Sequence, residues 1–309
     1  EEAEQESLEP GEYADTFFVP EPARWDNLKT LNHDIGAELN KATEAIEEHN
    51  PIIEGVLTTI DFNIKNKLTD RNLRDMLTHF SRHRLRNSDF ENPDLLGSAY
   101  EYLIKMFADS AGKKGGEFYT PNEVVKLLVA LIKPQKGMKV YDPTVGSGGM
   151  LIQSRNYLLQ QGDDASNIAL FGQENNLSTW AICKLNMFLH GFMDADIQHG
   201  DTLGNPKHIQ DGELVVFDRV IANPPFSLKK WGKELADSDP YGRYPYGTPP
   251  KDAGDLAFVQ HMIASLRSDG VMGVVVPHGV LFRGSSEKQI RQGILEDDLL
   301  EAVIGLPSS

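Results

Sequence analysis

Residues 220–227 read VIANPPFS, an apolar run that ends in an amide, two prolines and an aromatic ring. Consecutive prolines fix two φ angles and remove two backbone donors, so they form a rigid corner. The Asn223 side chain and the Pro224 carbonyl supply two acceptors there, which could accept from both N–H groups of an exocyclic ring amine and make its lone pair available. Phe226 could stack on the base that carries the amine. Asn223, Pro224, Pro225 and Phe226 are therefore the predicted catalytic residues; the open alternative is a proline-stiffened loop exit.

A glycine-rich turn lies upstream, in DPTVGSGGM at residues 142–150. Gly146, Gly148 and Gly149 let the backbone turn sharply and approach a ligand closely, because no Cβ intervenes. The turn lacks the third glycine of a dinucleotide fingerprint and the Gly-Lys-Ser/Thr of a phosphate loop. Asp142 would oppose a pyrophosphate but would suit an ammonium group. A strand-to-helix turn without a ligand is the alternative.

Two further acids follow the next two strand-like runs. Glu174 could accept from ribose hydroxyls and Asp201 from an adenine amino group, although either acid could equally be a helix N-cap. Three acids at successive strand ends suit a ligand that carries an ammonium, a ribose and an adenine but no phosphate. S-adenosyl-L-methionine is the common cofactor with these groups, and we expect it to bind here.

The elements that position these residues are predicted from periodicity. Apolar residues recur at helical spacing between residues 22 and 111, which indicates an all-helical N-terminal domain. After residue 112, helical patterns alternate with short β-rich runs, which predicts an α/β fold with a doubly wound, mostly parallel sheet and ligands at the carboxyl ends of its strands. The predicted strands are 139–142, 168–173, 196–201, 218–223, 271–277 and 301–307.

Three segments follow from this pattern: an acidic arm at 1–21, the helical domain at 22–111 and a catalytic domain at 112–309. The chain starts without Met and stops at LPSS without a capping element. We therefore expect the catalytic domain to be incomplete at its C-terminal end.

The single cysteine, Cys183, and the lack of a long apolar run predict a cytoplasmic protein with neither a disulfide framework nor a membrane span. Cys183 itself is expected to be a small buried hydrophobe.

Charge is distributed unevenly along the chain. The net charge is −16, which argues against binding nucleic acid over the whole surface. Residues 65–86, the basic segment, nevertheless hold 7 Lys/Arg against 2 Asp. They are either a DNA-backbone contact or a solvated helix face. The 27-residue insertion at 226–252 mixes cations with aromatic rings and is either a cover for a flipped strand or a crossover without consequence.

The combination of DPTVGSGG, NPPF and the upstream GEFYTP resembles the amino-methyltransferases of DNA. With its helical N-terminal half, the chain resembles more narrowly the modification subunits of type I restriction–modification systems. The resemblance implies methyl transfer from S-adenosyl-L-methionine to N6 of an adenine flipped out of double-stranded DNA. It also implies a methyltransferase fold, and cofactor binding by two sets of residues: Glu117, Phe118, Tyr119, Thr120, Pro121 and Asn122, then Asp142, Thr144, Gly146, Ser147, Gly148, Gly149 and Glu174.

The same resemblance implies partners. A specificity subunit would read the DNA sequence while two modification subunits clamp the duplex, and a restriction subunit could join them. The family's helical C-terminal tail, which grips the specificity subunit, has no counterpart before Ser309. Two other functions stay open: an RNA or protein amide/amine methyltransferase with the same Asn-Pro-Pro-Phe corner, and a non-catalytic DNA clamp or assembly subunit.

Three histidines are assigned no catalytic role. His79 and His83 lack further ligands at zinc-like spacing, so they are expected on a solvated helix face and no metal is predicted. His278 is expected only to line the pocket.

Overall fold

The structure is a computed structural model that describes residues 17–85, 89, 95–111, 119–163 and 167–307. The chain divides into two compact units, one of residues 1–101 with 184–193 and one of residues 102–183 with 194–309. The helix Leu95–Ala111 contributes to both units, so the predicted domain boundary after residue 111 stays a prediction. None of the helices in the described ranges has the length and apolar character needed to cross a membrane.

The regular secondary structure in the described residues of the first unit is all helical, as predicted. Its helices are α1 (Trp25–Leu28), α2 (Ile35–His49), α3 (Asp70–Phe80) and the beginning of α4 (Leu95–Ala111). Short 3-10 turns lie at Glu21–Ala23, Pro51–Ile53 and Leu57–Thr59.

The core of this unit follows from four-residue spacing on two helices. Ile35 and Leu39 of α2 pack against Leu73 and Leu77 of α3, since residues four apart share one helix face. Leu28 and Leu31 cover this cluster, whereas Phe80 is exposed. Helix α3 begins with a capping box, in which Thr69 and Asn72 each accept from the other's backbone N–H.

The second unit is an α/β fold. Its strands are β1 (Lys139–Asp142), β2 (Ala169–Glu174), β3 (Asp196–His199), β4 (Ile209–Gln210), β5 (Glu213–Leu214), β6 (Phe217–Ala222) and β7 (Leu266–Val274). Its helices are α5 (Asn122–Ile132), α6 (Gly149–Gln160), α7 (Leu177–Leu189, which ends in the first unit), α8 (Lys233–Ala236), α9 (Asp255–Ala264) and α10 (Ser285–Glu296), with a 3-10 turn at His278–Leu281.

Five strands among the described residues form a sheet in the order β3-β2-β1-β6-β7, and every neighbouring pair is parallel. The predicted doubly wound, mostly parallel sheet is thus confirmed. Helices cover both of its faces: Met272 packs with Met262 of α9, whereas a Cβ on the next residue, Gly273, would meet Leu128 and Ile132 of α5. Because successive strand residues point to opposite faces, α9 and α5 lie on opposite sides of the sheet.

Three details of the strand prediction were wrong. The strand predicted at 271–277 is β7, which begins earlier, at Leu266, and ends at Val274. Residues 301–307 form no strand; Val303 and Ile304 are largely exposed, because β character gives a ladder only where a neighbouring strand pairs with it. The small hairpin β4–β5 was not predicted. Its turn, Asp211-Gly212, has positive φ at both residues and is an Asp-Gly hairpin signal that the sequence contained.

Candidate functional site

The glycine turn and the proline corner lie at the same edge of the sheet. The turn follows β1 and the corner follows β6, and these two strands are neighbours, with Tyr141 in register with Val220. The chain runs outward from β1 to β2 and β3 on one side, and from β6 to β7 on the other. The crevice between β1 and β6 is therefore the switch point in strand order, where open α/β sheets bind ligands.

The glycine turn has the backbone that its sequence predicts. Gly146 has φ +54° and Gly148 has φ +87°, in the left-handed region that a side chain makes costly. Gly148 is the N-cap of α6, so the turn delivers the start of a helix to the carboxyl edge of β1. A Cβ on Gly149 would meet no atom within 4 Å, which leaves open space in front of that helix start.

Asp142 is a buried carboxylate at the beginning of this turn. Only 2% of the residue is exposed, and the side chain accepts from the Thr144 backbone N–H at 2.9 Å. Burial raises the pKa of Asp142 to about 8, and the charge of Glu174 adds to the rise while the Thr144 N–H opposes it. A cationic group placed beside this carboxylate would restore its ionised form. Ser147, in the same turn, is also buried.

Glu174 connects the turn to the end of β2. Its Oε2 accepts from the Gly146 N–H at 3.1 Å, and its Oε1 accepts from the Asn176 N–H at 2.8 Å. Burial is the main cause of its raised pKa. The carboxylate therefore holds the glycine turn against β2, and its predicted role in accepting from ribose hydroxyls stays a prediction.

The loop after β3 is tied to the same edge. Thr202 donates from Oγ1 to the Pro143 carbonyl at 2.6 Å, which joins this loop to the glycine turn. The preceding residue, Asp201, is exposed and accepts from the Leu203 N–H at 3.1 Å. Asp142 at the end of β1, Glu174 at the end of β2 and Asp201 on the loop after β3 thus lie on segments that hydrogen bonds connect to the glycine turn.

Sequence reasoning gave no role to Gln173, which the structure places at the centre of this arrangement. Its fully buried amide donates to the carbonyls of Gly200 at 3.1 Å and Asn205 at 3.0 Å, and it accepts from the Lys207 N–H at 3.0 Å. The available signal was a glutamine near the carboxyl end of a predicted buried strand. A buried polar side chain requires hydrogen-bond partners, so it indicates contacts with neighbouring loops.

The proline corner presents its Asn223 amide in a defined orientation. The Asn223 Nδ2 donates to Thr120 Oγ1 at 3.1 Å. The other amide atom, Oδ1, is buried and has no hydrogen-bond partner among the described residues. An unpartnered buried acceptor costs about 1–3 kcal/mol. At the edge of a ligand crevice, it marks a place where a donor from a ligand belongs.

The remaining corner residues differ in exposure. Pro224 is buried, Pro225 is half-buried and Phe226 is 51% exposed. An exposed ring at this edge is free to stack on an incoming planar group.

The Thr120 contact brings the third sequence motif to this edge. Tyr119 and Thr120 are half-buried, and Pro121 and Asn122 are exposed at the beginning of α5. Glu117 and Phe118 lie outside the described residues. Cofactor contacts by residues 117–122 therefore stay a prediction, whereas the hydrogen bond between Thr120 and Asn223 is a feature of the structure.

The insertion at 226–252 is a packed loop. Trp231 is 3% exposed and packs with Leu203 and Phe258, and its indole N–H donates to the Pro250 carbonyl at 2.9 Å. These contacts place Trp231 in the core rather than on a surface that could cover DNA. The exposed cations of the insertion are Lys229, Lys230 and Lys251.

Arg243 is the centre of this packing. It is 3% exposed and makes an ion pair with Asp239 at 2.7 Å. Its guanidinium also donates to the carbonyls of Thr202 at 3.1 Å and Leu203 at 2.8 Å. Arg243 is therefore not a solvent-facing cation of the insertion, because its donors are used inside the protein to hold the insertion against the loop after β3.

The three histidines that were assigned no catalytic role are all exposed. His278 is exposed, and His79 and His83 are exposed neighbours with ring centroids 5.5 Å apart. The residues that the structure describes contain no group of three His, Cys, Asp or Glu that could hold a metal ion. Cys183 is fully buried, as predicted.

Two known protein families match this chain. The family described as N-6 DNA methylase matches residues 91–309, and the HsdM N-terminal domain matches residues 1–80. This chain belongs to the N-6 DNA methylase family. The resemblance predicted from GEFYTP, the glycine turn and NPPF is confirmed.

Individual proteins similar to this N-6 DNA methylase are methyltransferase subunits of type I systems. The type I restriction enzyme HindI methylase subunit of Haemophilus influenzae is 33% identical over 309 residues, which cover 94% of this chain and 68% of that protein. The crystal structure of the type I restriction-modification system methyltransferase subunit from Streptococcus thermophilus has a TM-score of 0.76 at 30% identity, over 91% of this chain and 60% of that one.

A third likeness concerns the fold alone. A structure from Listeria monocytogenes, described as that of a class I S-adenosylmethionine-dependent methyltransferase, has a TM-score of 0.58 at 15% identity over 89% of this chain and 79% of that one. The predicted methyltransferase fold is confirmed. The N-6 DNA methylase chain spans about half the length of several other curated type I methylase subunits that it matches.

Proposed function

We propose that this chain is the catalytic part of a type I modification subunit, which transfers a methyl group from S-adenosyl-L-methionine to N6 of an adenine flipped out of double-stranded DNA. One observation carries the proposal. Asn223 uses its Nδ2 on Thr120 and leaves a buried Oδ1 that has no partner among the described residues, at the switch point of the sheet. An adenine N6–H is the kind of donor that this oxygen lacks.

The corner supplies the rest of the amine site. The Pro224 carbonyl is the second acceptor, and the flanking proline geometry holds it still, which gives a dipole its catalytic value. Two acceptors on one NH2 group draw its lone pair out of the ring and toward the methyl donor. The exposed Phe226 ring stacks on the flipped base, a contact worth about 1–3 kcal/mol.

The residues around the glycine turn fit the proposed cofactor. Asp142, Glu174 and Asp201 suit an ammonium group, hydroxyls and an adenine amine, and they would repel a phosphate. The open space before Gly149 gives room for close approach to the helix start. S-adenosyl-L-methionine supplies a cationic sulfonium methyl group when it is bound. Asp142 would hold its ammonium, and Tyr119, Thr120, Pro121 and Asn122 are proposed to close over it.

We also propose that the chain assembles with other subunits. Its similarity to type I methylase subunits supports a complex in which a specificity subunit selects the DNA sequence and two modification subunits clamp the duplex. A restriction subunit would join in systems that carry one. The exposed cations of the basic segment include Arg71 and Arg82, which we propose contact the DNA backbone, whereas Arg84 pairs with Asp89.

The family match argues against the alternative acceptors. RNA and protein amine methyltransferases use a similar corner, but residues 91–309 match the N-6 DNA methylase family. A non-catalytic clamp would have no use for a buried amide oxygen that no described residue pairs with in a methyltransferase crevice.

The test is methyl transfer by the chain assembled with a specificity subunit, on whole-genome-amplified DNA that carries no methylation. N6-methyladenine is counted by mass spectrometry, and cofactor binding is measured by thermal shift. Asn223→Ala should abolish transfer and leave the shift intact, and the exposed Asn32→Ala is the matched control. Full transfer by Asn223→Ala would refute the proposed amine site.

A further inference from the structure

Ser227, which directly follows the proline corner, has a backbone that needs support. Its φ is +52°, in the left-handed region. For a residue with a Cβ this conformation costs roughly 1–2 kcal/mol, and it persists only where surrounding contacts impose it. Phe226 is half-exposed, so packing alone does not fix its ring. The direction of the corner therefore depends on what holds Ser227.

Two charged side chains hold it. The Ser227 N–H donates to Asp255 Oδ1 at 2.8 Å, and Arg283 Nη2 donates to Ser227 Oγ at 3.1 Å. Arg283 Nη1 donates in turn to Asp255 Oδ2 at 2.8 Å, which closes a three-membered ring of hydrogen bonds. Hydrogen bonds that involve charged groups are roughly twice as strong as neutral ones.

This ring is anchored in the rigid part of the fold. Asp255 is 1% exposed and begins α9, whose next residues, Leu256 and Ala257, are buried. Arg283 is also bonded to the buried Glu287 of α10 at 3.3 Å. The corner is therefore fastened to two helices rather than left as a loop.

From this geometry we infer that Asp255 and Arg283 are positioning residues for methyl transfer: they hold Ser227 in its left-handed turn and thereby direct Asn223 and Phe226 at the target base. The inference rests on the proposed function. In the proposed methyl transfer, neither Asp255 nor Arg283 touches the reacting atoms. Displacement of a reacting group by about 1 Å can cost about a hundredfold in rate, so this support bears directly on turnover.

The test compares Arg283→Gln, Arg283→Lys and Asp255→Asn in the chain assembled with a specificity subunit. Arg283→Gln should lower kcat for methyl transfer about tenfold or more, with cofactor affinity changed less than about twofold, because only the corner is released. Arg283→Lys should recover part of the loss, since lysine keeps the charge but lacks the fork that reaches two partners. Asp255→Asn keeps an acceptor for Ser227 and should lie between the two.

The matched control is Arg267→Gln, at the opposite end of β7. Arg267 pairs with Asp218 and Asp269 far from the carboxyl edge, so kcat should stay close to that of the wild type. Equal kcat losses in the Arg267 and Arg283 variants would reduce Arg283 to a stabilising residue and overturn the inference.

A second measurement separates this inference from the proposed function. Amide hydrogen exchange of the peptide covering residues 221–230 should speed up in Arg283→Gln, while residues 139–142 stay protected, whether or not the protein transfers methyl groups. Unchanged exchange together with unchanged kcat would overturn the inference. A wild-type assembly without any transfer to adenine would instead overturn the proposed function.

Discussion

The Asn223 amide donates to the Thr120 hydroxyl at 3.1 Å across 103 residues of sequence. This bond connects the segment before α5 to the corner after β6, and it decides which amide atom faces Thr120. Because Nδ2 is used there, Oδ1 is the atom left without a partner among the described residues. Thr120 therefore pairs with the donor atom of the Asn223 amide, and the acceptor atom is left for the proposed amine site.

Removal of that hydroxyl should lower the rate of methyl transfer. Thr120→Val keeps the shape of the side chain but leaves the Asn223 amide free to rotate. We expect kcat for methyl transfer to fall about three- to tenfold, as for the loss of one hydrogen bond. Thr120→Ser keeps the acceptor and is the control. Equal rates in the valine and serine variants would contradict the orienting role.

Asp142 makes stability depend on pH. Its pKa is about 8 in the folded protein, against 3.8 for an ordinary aspartate side chain, so the folded chain binds an extra proton between these two values. The stabilisation associated with that proton is fully present below about pH 4 and is lost as pH rises through about 8.

Asp142→Asn removes this dependence. In the absence of cofactor, the Tm difference between Asp142→Asn and the wild type should shift in favour of the variant between pH 6 and pH 9. The exposed Asp163→Asn is the control and should show a constant difference. A pH-independent difference for Asp142→Asn would show that this carboxyl is already ionised at pH 6.

The basic segment should contribute to DNA affinity through charge alone. Charge reversal of Arg82, Arg84 and Arg86 should weaken DNA binding by the assembled enzyme. It should also reduce the slope of log K against log salt by roughly 0.9 for each phosphate that the variant no longer neutralises. Fluorescence anisotropy at several salt concentrations measures both quantities. A matched charge reversal of Lys105, Lys126 and Lys288 should leave the slope unchanged. Identical slopes in the two triple variants would contradict a contact between the basic segment and the DNA backbone.

Arg243 should be required for stability. Arg243→Met leaves Asp239 buried without its cation, and loss of one partner of a buried pair costs about 3–5 kcal/mol. Urea denaturation should show this loss, whereas Lys230→Met, at an exposed position, should change the free energy of unfolding by less than about 0.5 kcal/mol. A double variant, Arg243→Met with Asp239→Leu, should recover much of the loss, and failure to recover would indicate that the bonds to the Thr202 and Leu203 carbonyls dominate.

Much of the fold could be predicted because its signals are local. The run KVYD gave β1 with both of its bounds, and the next three predicted strands of the sheet lie within one or two residues of their observed limits. The run at 301–307 has equal β character and forms no strand, since pairing requires a neighbour that the run itself cannot specify. Burial is a second feature that local sequence does not fix. The aromatic Phe226 is half-exposed, whereas the charged Arg243 is buried.

The sequence by itself determined the types and order of the chemical groups: a glycine turn, three acids at strand ends, and a rigid Asn-Pro-Pro-Phe corner. These depend on neighbours a few residues away, where steric limits on the backbone act directly. Only the tertiary structure decided that Thr120 orients Asn223, that Gln173 ties two loops together, and that Asp255 and Arg283 hold Ser227. Such contacts join residues tens of positions apart, and they arise from the order of strands in the sheet and the packing of helices on it, which no local pattern encodes.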